Sequence, residues 1–449
     1  MNRTVTHAPA ILRDLGDGLI LRRSTPADAD ALAELDSRIL SDEGPDHPDE
    51  RVGAWVRDLL SGDHPTFNVD DFTIVEDARA GRIVSTLNLI SQTWTYDGIP
   101  FGVGRPELVA TLPEYRNRGL VRAQFQAIHE WSAARGHLAQ AITGIPWFYR
   151  QFGYEMGLAL SGGRIGYLLH IPKLQDGEAE PCRLRPANEA DLPFIQDVYE
   201  HASKRNLIAC ARDERLWRYE VFGKHEKNAN RLEMRIIDSA DGEPIGYLAH
   251  ATRLWRTMMP ANFFELKPGA SWLAVAPSVM RYLQATGELY ASRDKKPFDS
   301  FAFWLGGDHP VYHAAADRLP VLRKPYAWYM RVPELSGFLR HIAPVLERRL
   351  ASSELTGFTG EVKISFYRSG LRLGFQHGCL SVSESWRPTP AERGTAAFPD
   401  LTFLQLLFGY RSLEELRHAF ADCWVDSDEI GALLQALFPK RHSDVWPVA

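Results

Sequence analysis

The spacing of apolar residues along the chain changes period repeatedly, and each change marks an element. Leu19, Ile20 and Leu21 followed by Arg22 predict a strand, and Thr25-Pro26-Ala27-Asp28 predicts a helix start, with Thr25 as N-cap and Pro26 at the first helical position. Leu32, Leu35 and Ile39 then line one helical face. After an acidic loop over 41–49, Val52, Trp55, Val56, Leu59 and Leu60 predict a second helix. Strands are predicted at 72–75 and 83–87 with a turn at Gly81, and a hairpin at 94–99 around Asp97-Gly98. A further strand at 108–112 runs into Pro113, and Phe125, Ile128, His129 and Trp131 resume helical spacing. A strand near 139–143 and an aromatic segment over 146–154 close this part, while residues 1–18, polar and Gly-rich, read as a mobile start. Strands and helices in this order predict a mixed α/β domain.

The pattern then begins again. Residues 182–192 echo residues 22–32: a strand ends in arginines, and a Pro-Ala step opens a helix with acidic residues in its first turn. Strands are predicted at 235–237 and 245–248, with another at 263–266. Where the first copy carries arginines before its helix, the second carries Val275-Ala276-Pro277-Ser278-Val279-Met280-Arg281. From Pro333 a helix over 334–350, strands at 360–367, 371–375 and 380–385, and helices at 402–408, 412–421 and 426–438 predict a small α+β layer domain. The expected organisation is therefore 1–178, 179–332 and 333–449.

Composition narrows the function. A net charge of -6 argues against nucleic acid or an anionic membrane as main partner and leaves room for cationic substrates. Cys182, Cys210, Cys379 and Cys423 are scattered, which fits a reducing compartment without disulfides or a thiolate zinc site. Arg13 and Asp14 interrupt the apolar residues of the N-terminus, so no signal-peptide core is expected. A cytoplasmic enzyme is the default. His309 and His313 have the spacing of metal ligands but no third ligand in sequence, and no metal is expected.

The chemistry-bearing stretch is Pro113-Glu114-Tyr115-Arg116-Asn117-Arg118-Gly119-Leu120-Val121-Arg122. Arginines at a helix N-terminus oppose the helix dipole, and a docked anion reverses that cost. Free N–H groups and guanidinium forks would bind one polyphosphate together, with Gly119 leaving the backbone open to close approach.

Arg116-Asn117-Arg118-Gly119-Leu120-Val121 resembles the acetyl-CoA loop of the GNAT acyltransferase superfamily, with Val121 where the general pattern has a small residue. Phe148-Tyr149-Arg150-Gln151-Phe152-Gly153-Tyr154 is similar to the superfamily's Tyr-x-x-x-Gly-Tyr/Phe segment. The whole layout resembles the enhanced-intracellular-survival family: a catalytic GNAT fold, a degenerate GNAT fold, then a sterol-carrier-like domain. The resemblance implies an α/β (α+β) fold with mixed central sheets and acetyl-CoA as co-substrate. It implies that backbone groups of Val109, Ala110 and Thr111 pair with the pantetheine arm, and that Arg116, Asn117, Arg118, Gly119, Leu120, Val121 and Arg122 surround the pyrophosphate. Tyr149 falls on the proposed general acid, and the terminal carboxylate, on Ala449, falls on the proposed base. The implied acceptor is a primary amine of aminoglycoside, polyamine or lysine type, and the implied assembly a homo-oligomer, a hexamer in that family. The alternative is a non-catalytic protein that binds a lipid or acyl-CoA through the third domain.

A tyrosine, with a pKa of about 10, is a weaker acid than a thiol at about 8.5, so full proton transfer to a thiolate is uphill by roughly 2 kcal/mol. A hydrogen bond that strengthens as charge grows on sulfur is the more effective role for Tyr149.

Overall fold

Residues 10–447 are described by the computed structural model, so Ala449, the expected base, lies outside the described residues. The first run of elements is β1 (Ile11–Gly16), β2 (Leu19–Arg23), α1 (Ala29–Ile39), α2 (Glu50–Leu60), β3 (Phe72–Asp77), β4 (Arg82–Tyr96), β5 (Ile99–Thr111), α3 (Leu120–Ala134), β6 (Ala139–Ile142), β7 (Glu155–Leu160) and β8 (Gly163–Tyr167). The expected mobile start includes a strand: Asp17 and Gly18, both at positive φ, turn β1 back onto β2. The strands expected at 83–87 and 94–99 are parts of one long hairpin, β4 with β5. Its tip is Asp97 at φ 48° and Gly98 at φ 90°, the left-handed pair a two-residue hairpin needs.

The second run is β9 (Cys182–Pro186), α4 (Leu192–Ser203), β10 (Ile208–Cys210), α5 (Glu214–Arg218), β11 (Leu232–Ser239), β12 (Pro244–Ala251), β13 (Met258–Leu266), α6 (Trp272–Asp294), β14 (Ser300–Phe303), α7 (Pro310–Ala314), β15 (Val321–Arg323) and β16 (Tyr326–Arg331). The echo between residues 22–32 and 182–192 is a repeated device. Arg22 grips the Asp28 carboxylate with two nitrogens, at 2.9 and 2.7 Å, and reaches Glu76 with a third at 2.6 Å. Arg185 grips Asp191 at 2.8 and 2.8 Å and reaches Asp238 at 2.8 Å. In each, the aspartate also accepts the backbone N–H of the residue that opens the turn, Thr25 or Asn188. The first strand of each copy is thereby tied to the start of its first helix.

Two sheets result, with matching strand order. The first runs β1-β2-β3-β4-β5-β6-β16-β7, with β10 added on β4, and the second runs β15-β8-β14-β13-β12-β11-β9. Each copy gives a strand to the other. β8, which follows β7, sits between β14 and β15 of the second sheet; β16, which follows β15, sits between β6 and β7 of the first.

The third unit comprises α8 (Leu335–His341), α9 (Ala343–Ala351), β17 (Gly360–Ser365), β18 (Gly370–Gln376), β19 (Cys379–Trp386), β20 (Ala396–Ala397), α10 (Phe403–Leu407), α11 (Leu413–Ala419), β21 (Trp424–Val425) and α12 (Asp428–Leu437). The single helix expected over 334–350 breaks at Ile342, two residues before Pro344. Its core is continuous with the first sheet: Trp94, Tyr96, Phe101 and Trp328 share one apolar cluster with Phe338, Leu346, Phe403 and Leu407. Among the described residues no helix is long and apolar enough to cross a membrane.

Candidate functional site

The site begins where two strands part. β5 and β6 run parallel and pair at Val103 with Ala139 and Gly104 with Gln140, while β5 continues to Thr111. Over 107–111 no described strand pairs with that edge of β5, so β5 and β6 part and leave a cleft between them. On the opposite edge, Thr86 pairs with Ala110 and Asn88 with Glu107, so Leu108 and Val109 together oppose Leu87. This is a β-bulge, and Leu108 holds φ 52°, a left-handed conformation that a bulky residue rarely adopts. The Leu108 side chain is buried in the core against α1 and α2. The bulge thereby re-aims the end of β5, where Val109, Ala110 and Thr111 lie.

Past Thr111 the chain makes one tight helical turn over Pro113–Tyr115, then the arginine turn. Asn117 at φ 61° and Gly119 at φ 77° are both left-handed, and Gly119 caps α3. α3 begins at Leu120, so Arg116 and Arg118 stand in the turn itself and only Arg122 in the first helical turn. The first intrahelical bond runs from the Ala123 N–H to the Gly119 carbonyl, at 3.1 Å, which leaves the amides of Leu120, Val121 and Arg122 at the open end of the helix. A Cβ built on Gly119 meets no atom within 4 Å. Within the protein, Gly119 is required for its φ; the space above it is open to a ligand.

The three arginines are exposed and lightly held. Arg116 Nε donates to the Thr111 carbonyl at 3.3 Å, Arg118 is 3.7 Å from Asp17, and Arg122 donates to Gln151 at 3.0 Å. Such contacts contribute little stability and leave the guanidiniums available to an anion.

What fixes the turn against the sheet is Gln124, which sequence reasoning missed. It is buried on α3, accepts from Ser85 Oγ at 2.7 Å and donates to the Thr73 carbonyl at 3.1 Å. Ser85 Oγ in turn lies 2.7 Å from Thr111 Oγ1. One polar side chain therefore couples the helix N-terminus to β3, β4 and the end of β5. A lone polar residue on an otherwise apolar helical stripe was its only signal in sequence.

Tyr149 lies in a single helical turn over Phe148–Phe152, buried among the rings of Phe125, Phe148, Tyr154 and Tyr329. Its hydroxyl is 3.4 Å from where a Cβ on Gly144 would stand, just past the end of β6. Burial, and then the charge of Glu107, push its pKa well above the usual tyrosine value. The loop before Tyr149 is held by β16, the strand from the second copy: Trp147 N–H donates to Tyr329 Oη at 2.8 Å, and Tyr326 Oη donates to the Gly144 carbonyl at 3.0 Å.

Glu107, also missed in sequence, is a largely buried carboxylate on β5 whose charge reaches Tyr149. It accepts from Arg105, whose guanidinium lies 5.3 Å over the Trp328 ring, and burial raises its pKa against the pull of that arginine. A charge pair flanking Pro106 in an apolar run was the available signal. His129 faces Tyr154 Oη at 3.0 Å, and burial lowers its pKa to about 3, so it is neutral in the folded protein. A shallow groove of about 480 Å³ runs between α3 and the Tyr149 turn, lined by Arg122, Phe125, His129, Gln151 and Phe152.

Other expected features separate from this site. The stretch 275–281 lies inside α6; the turn that matches the arginine turn is residues 267–271, where Ser271 caps α6 and Lys267 is the lone cation. His309 faces Glu265 at 3.4 Å and His313 faces Asp308 at 3.2 Å, two different carboxylates. In the third unit an open cavity of about 860 Å³ mixes Phe366, Tyr367, Trp386 and Phe403 with Glu334, Arg368, Asp400 and Asp422.

Residues 21–157 match the family model of the acetyltransferase (GNAT) domain. The chain carries a GNAT acetyltransferase domain, the fold of acyl-transfer enzymes, and the open edge of β5, the arginine turn and Tyr149 all fall within it. Solved structures extend the likeness of fold to 95% of the chain. A conserved protein from Enterococcus faecalis described as a probable N-acyltransferase is 16% identical, with a TM-score of 0.60 over 95% of this chain and 97% of that one. A GCN5-related N-acetyltransferase from Anabaena variabilis is 14% identical, with a TM-score of 0.60 over 95% and 99%. Eis1 from Mycobacterium abscessus is 14% identical, with a TM-score of 0.56 over 95% and 99%. At these identities the likeness is one of fold. No curated protein matches the sequence.

Proposed function

We propose that the protein transfers an acetyl group from acetyl-CoA to a primary amine by direct attack of the amine on the thioester. The observation that carries this reading is the edge of β5 over 107–111, on which no described strand pairs and which leads straight into the arginine turn. An extended pantetheine arm would add to that edge as a short strand on the backbone of Val109, Ala110 and Thr111. The pyrophosphate would then meet the amides of residues 119–122 with Arg116, Asn117, Arg118 and Arg122 around it. Leu120 and Val121 contribute backbone only, so their bulk is no obstacle.

Tyr149 stays protonated, since its pKa is pushed up. Its role is to donate a hydrogen bond to the departing thiolate sulfur, not to transfer its proton. The amine nitrogen attacks the carbonyl carbon, the C–S bond breaks, and the ammonium proton must leave. Ala449 carries the proton acceptor in this reading, and the acceptor amine is of aminoglycoside, polyamine or lysine type. A second acceptor of the proton is favoured by one observation: the charge of Glu107, on β5, reaches Tyr149 and helps to push its pKa up. Much of the rate would come from holding amine and thioester together.

The test is a thiol-release assay over a panel of amines, with mass spectrometry of the products. Free CoA appearing only with an amine, and an acetylated product, support the transferase. Ligand bound in the third unit with no turnover on any amine would replace it by the carrier reading.

A further inference from the structure

The second sheet repeats the parting of strands but not its use. β13 and β14 run parallel and pair from Met258 with Ser300 to Ala261 with Phe303, while β13 continues to Leu266. Here the mouth of the cleft is occupied by the chain's own last segment. The Leu207 N–H donates to the His442 carbonyl at 2.8 Å, and the Ile208 N–H to Ser443 Oγ at 3.2 Å. A Cβ on Gly306, just past β14, would stand 2.6 Å from His442 Nε2 and 3.4 Å from Asp444 Cβ. The Trp446 ring meets Phe263 of β13 edge-on at 6.3 Å.

Arg212 closes the seat. It is 5% exposed, donates to the Trp446 carbonyl and lies 3.3 Å from Glu220. Its guanidinium is boxed by the rings of Trp217 at 4.8 Å, Phe263 at 5.3 Å and Tyr199 at 5.6 Å. A buried arginine needs its donors used, and a backbone carbonyl 234 residues away uses one of them. Direction matters as well. The segment runs from Leu207 to Arg212 beside β10, and β10 pairs with β4 from Tyr96 back toward Trp94, with the Ala211 N–H on the Thr93 carbonyl. It therefore advances along the first sheet toward the part of β4 that faces Arg105 and Glu107.

We propose that the cleft of the second copy is a receptor for the C-terminal segment, and that Arg212 is the positioning residue that fixes Trp446 and hence where the following residues are presented to the first copy's cleft. The docking stands on these contacts alone; its consequence for turnover rests on the terminal carboxylate reading above. Lysine at position 212 keeps the charge but cannot reach Trp446 and Glu220 with one planar fork.

Two measurements on the full chain test it. Carboxypeptidase trimming followed by intact-mass analysis should remove residues through Trp446 about tenfold faster in Arg212→Lys than in the parent, the loss of one charge-assisted hydrogen bond. Trp446→Ala, which leaves Arg212 in place, is the second variant if Arg212→Lys does not fold, and should trim faster too. Equal trimming in parent and variant overturns the docking. In steady-state kinetics, Arg212→Lys should lower kcat with the KM for acetyl-CoA unchanged, and removing residues 448–449 as well should add nothing further. Additive losses overturn the positioning role. If removing residues 448–449 from the parent leaves kcat intact, the proton-acceptor reading fails while the trimming result still decides the docking.

Discussion

Gly119 allows the arginine turn to be tested with stability and binding separated. Its φ of 77° is left-handed, and a Cβ there meets no protein atom within 4 Å. In the free protein, Gly119→Ala therefore costs only backbone conformation, about 1–2 kcal/mol. That corresponds to a fall in melting temperature of a few degrees. Gly119→Asn should cost much less, because asparagine tolerates the left-handed region, as Asn117 two residues earlier illustrates at φ 61°. Binding should behave differently. If a polyphosphate lies over the turn, any Cβ at position 119 stands between it and the amides at the head of α3. Loss of one amide bond to a charged group is worth roughly 1.5–3 kcal/mol, about 10- to 100-fold in Kd. Both variants should then lose CoA affinity by similar factors while differing in stability. Calorimetric titration with CoA beside thermal denaturation reads both quantities. An asparagine variant that binds CoA as the parent does would show that the ligand does not approach this Cβ. If alanine also binds normally, the turn is not the cofactor site.

Four other outcomes are expected. Tyr149→Phe should lower kcat by about 100-fold, the typical loss of one donor to a developing anion, with CoA affinity unchanged. Because burial pushes the Tyr149 pKa up, the parent's kcat should show no decline from tyrosine ionisation as pH rises to 10. Gln124→Leu should cost roughly 1–3 kcal/mol in denaturant unfolding, since Ser85 and the Thr73 carbonyl lose a buried partner. Asp28 is desolvated, which alone would raise its pKa, but the hydrogen bonds from Arg22 and Thr25 and the charge of Arg22 together outweigh this and hold it below the usual value. Its contribution is therefore present above about pH 4 and is lost as pH falls through the lowered folded value; Asp28→Asn should flatten that acid limb of the stability curve.

The arginine turn and the repeat were legible because each depends on residue chemistry at short range. Arg22 with Asp28, and Arg185 with Asp191, sit six residues apart, so one local device written twice announces two copies. Tyr149 was singled out only through the resemblance of residues 148–154 to the GNAT Tyr-x-x-x-Gly-Tyr/Phe segment. The exchange of β8 and β16 was not legible: alternation tells which face of a strand is buried but not which strand lies beside it. Gln124 and Glu107 were missed for a related reason. A polar residue in an apolar run gains meaning only when its partners, here on β3, β4 and β5, are known. The path of residues 441–446 rests wholly on contacts with distant parts of the chain.

The crossing of β8 and β16 has a practical corollary for anyone dissecting the molecule. A fragment ending near residue 178 would lack the strand that bonds both β6 and β7, and with it Tyr326 and Tyr329, which hold the loop ahead of Tyr149. It would expose raw sheet edges and invite aggregation. Although the later half lacks the arginine turn of the earlier one, the earlier one cannot close its sheet without it: each half completes its neighbour's framework.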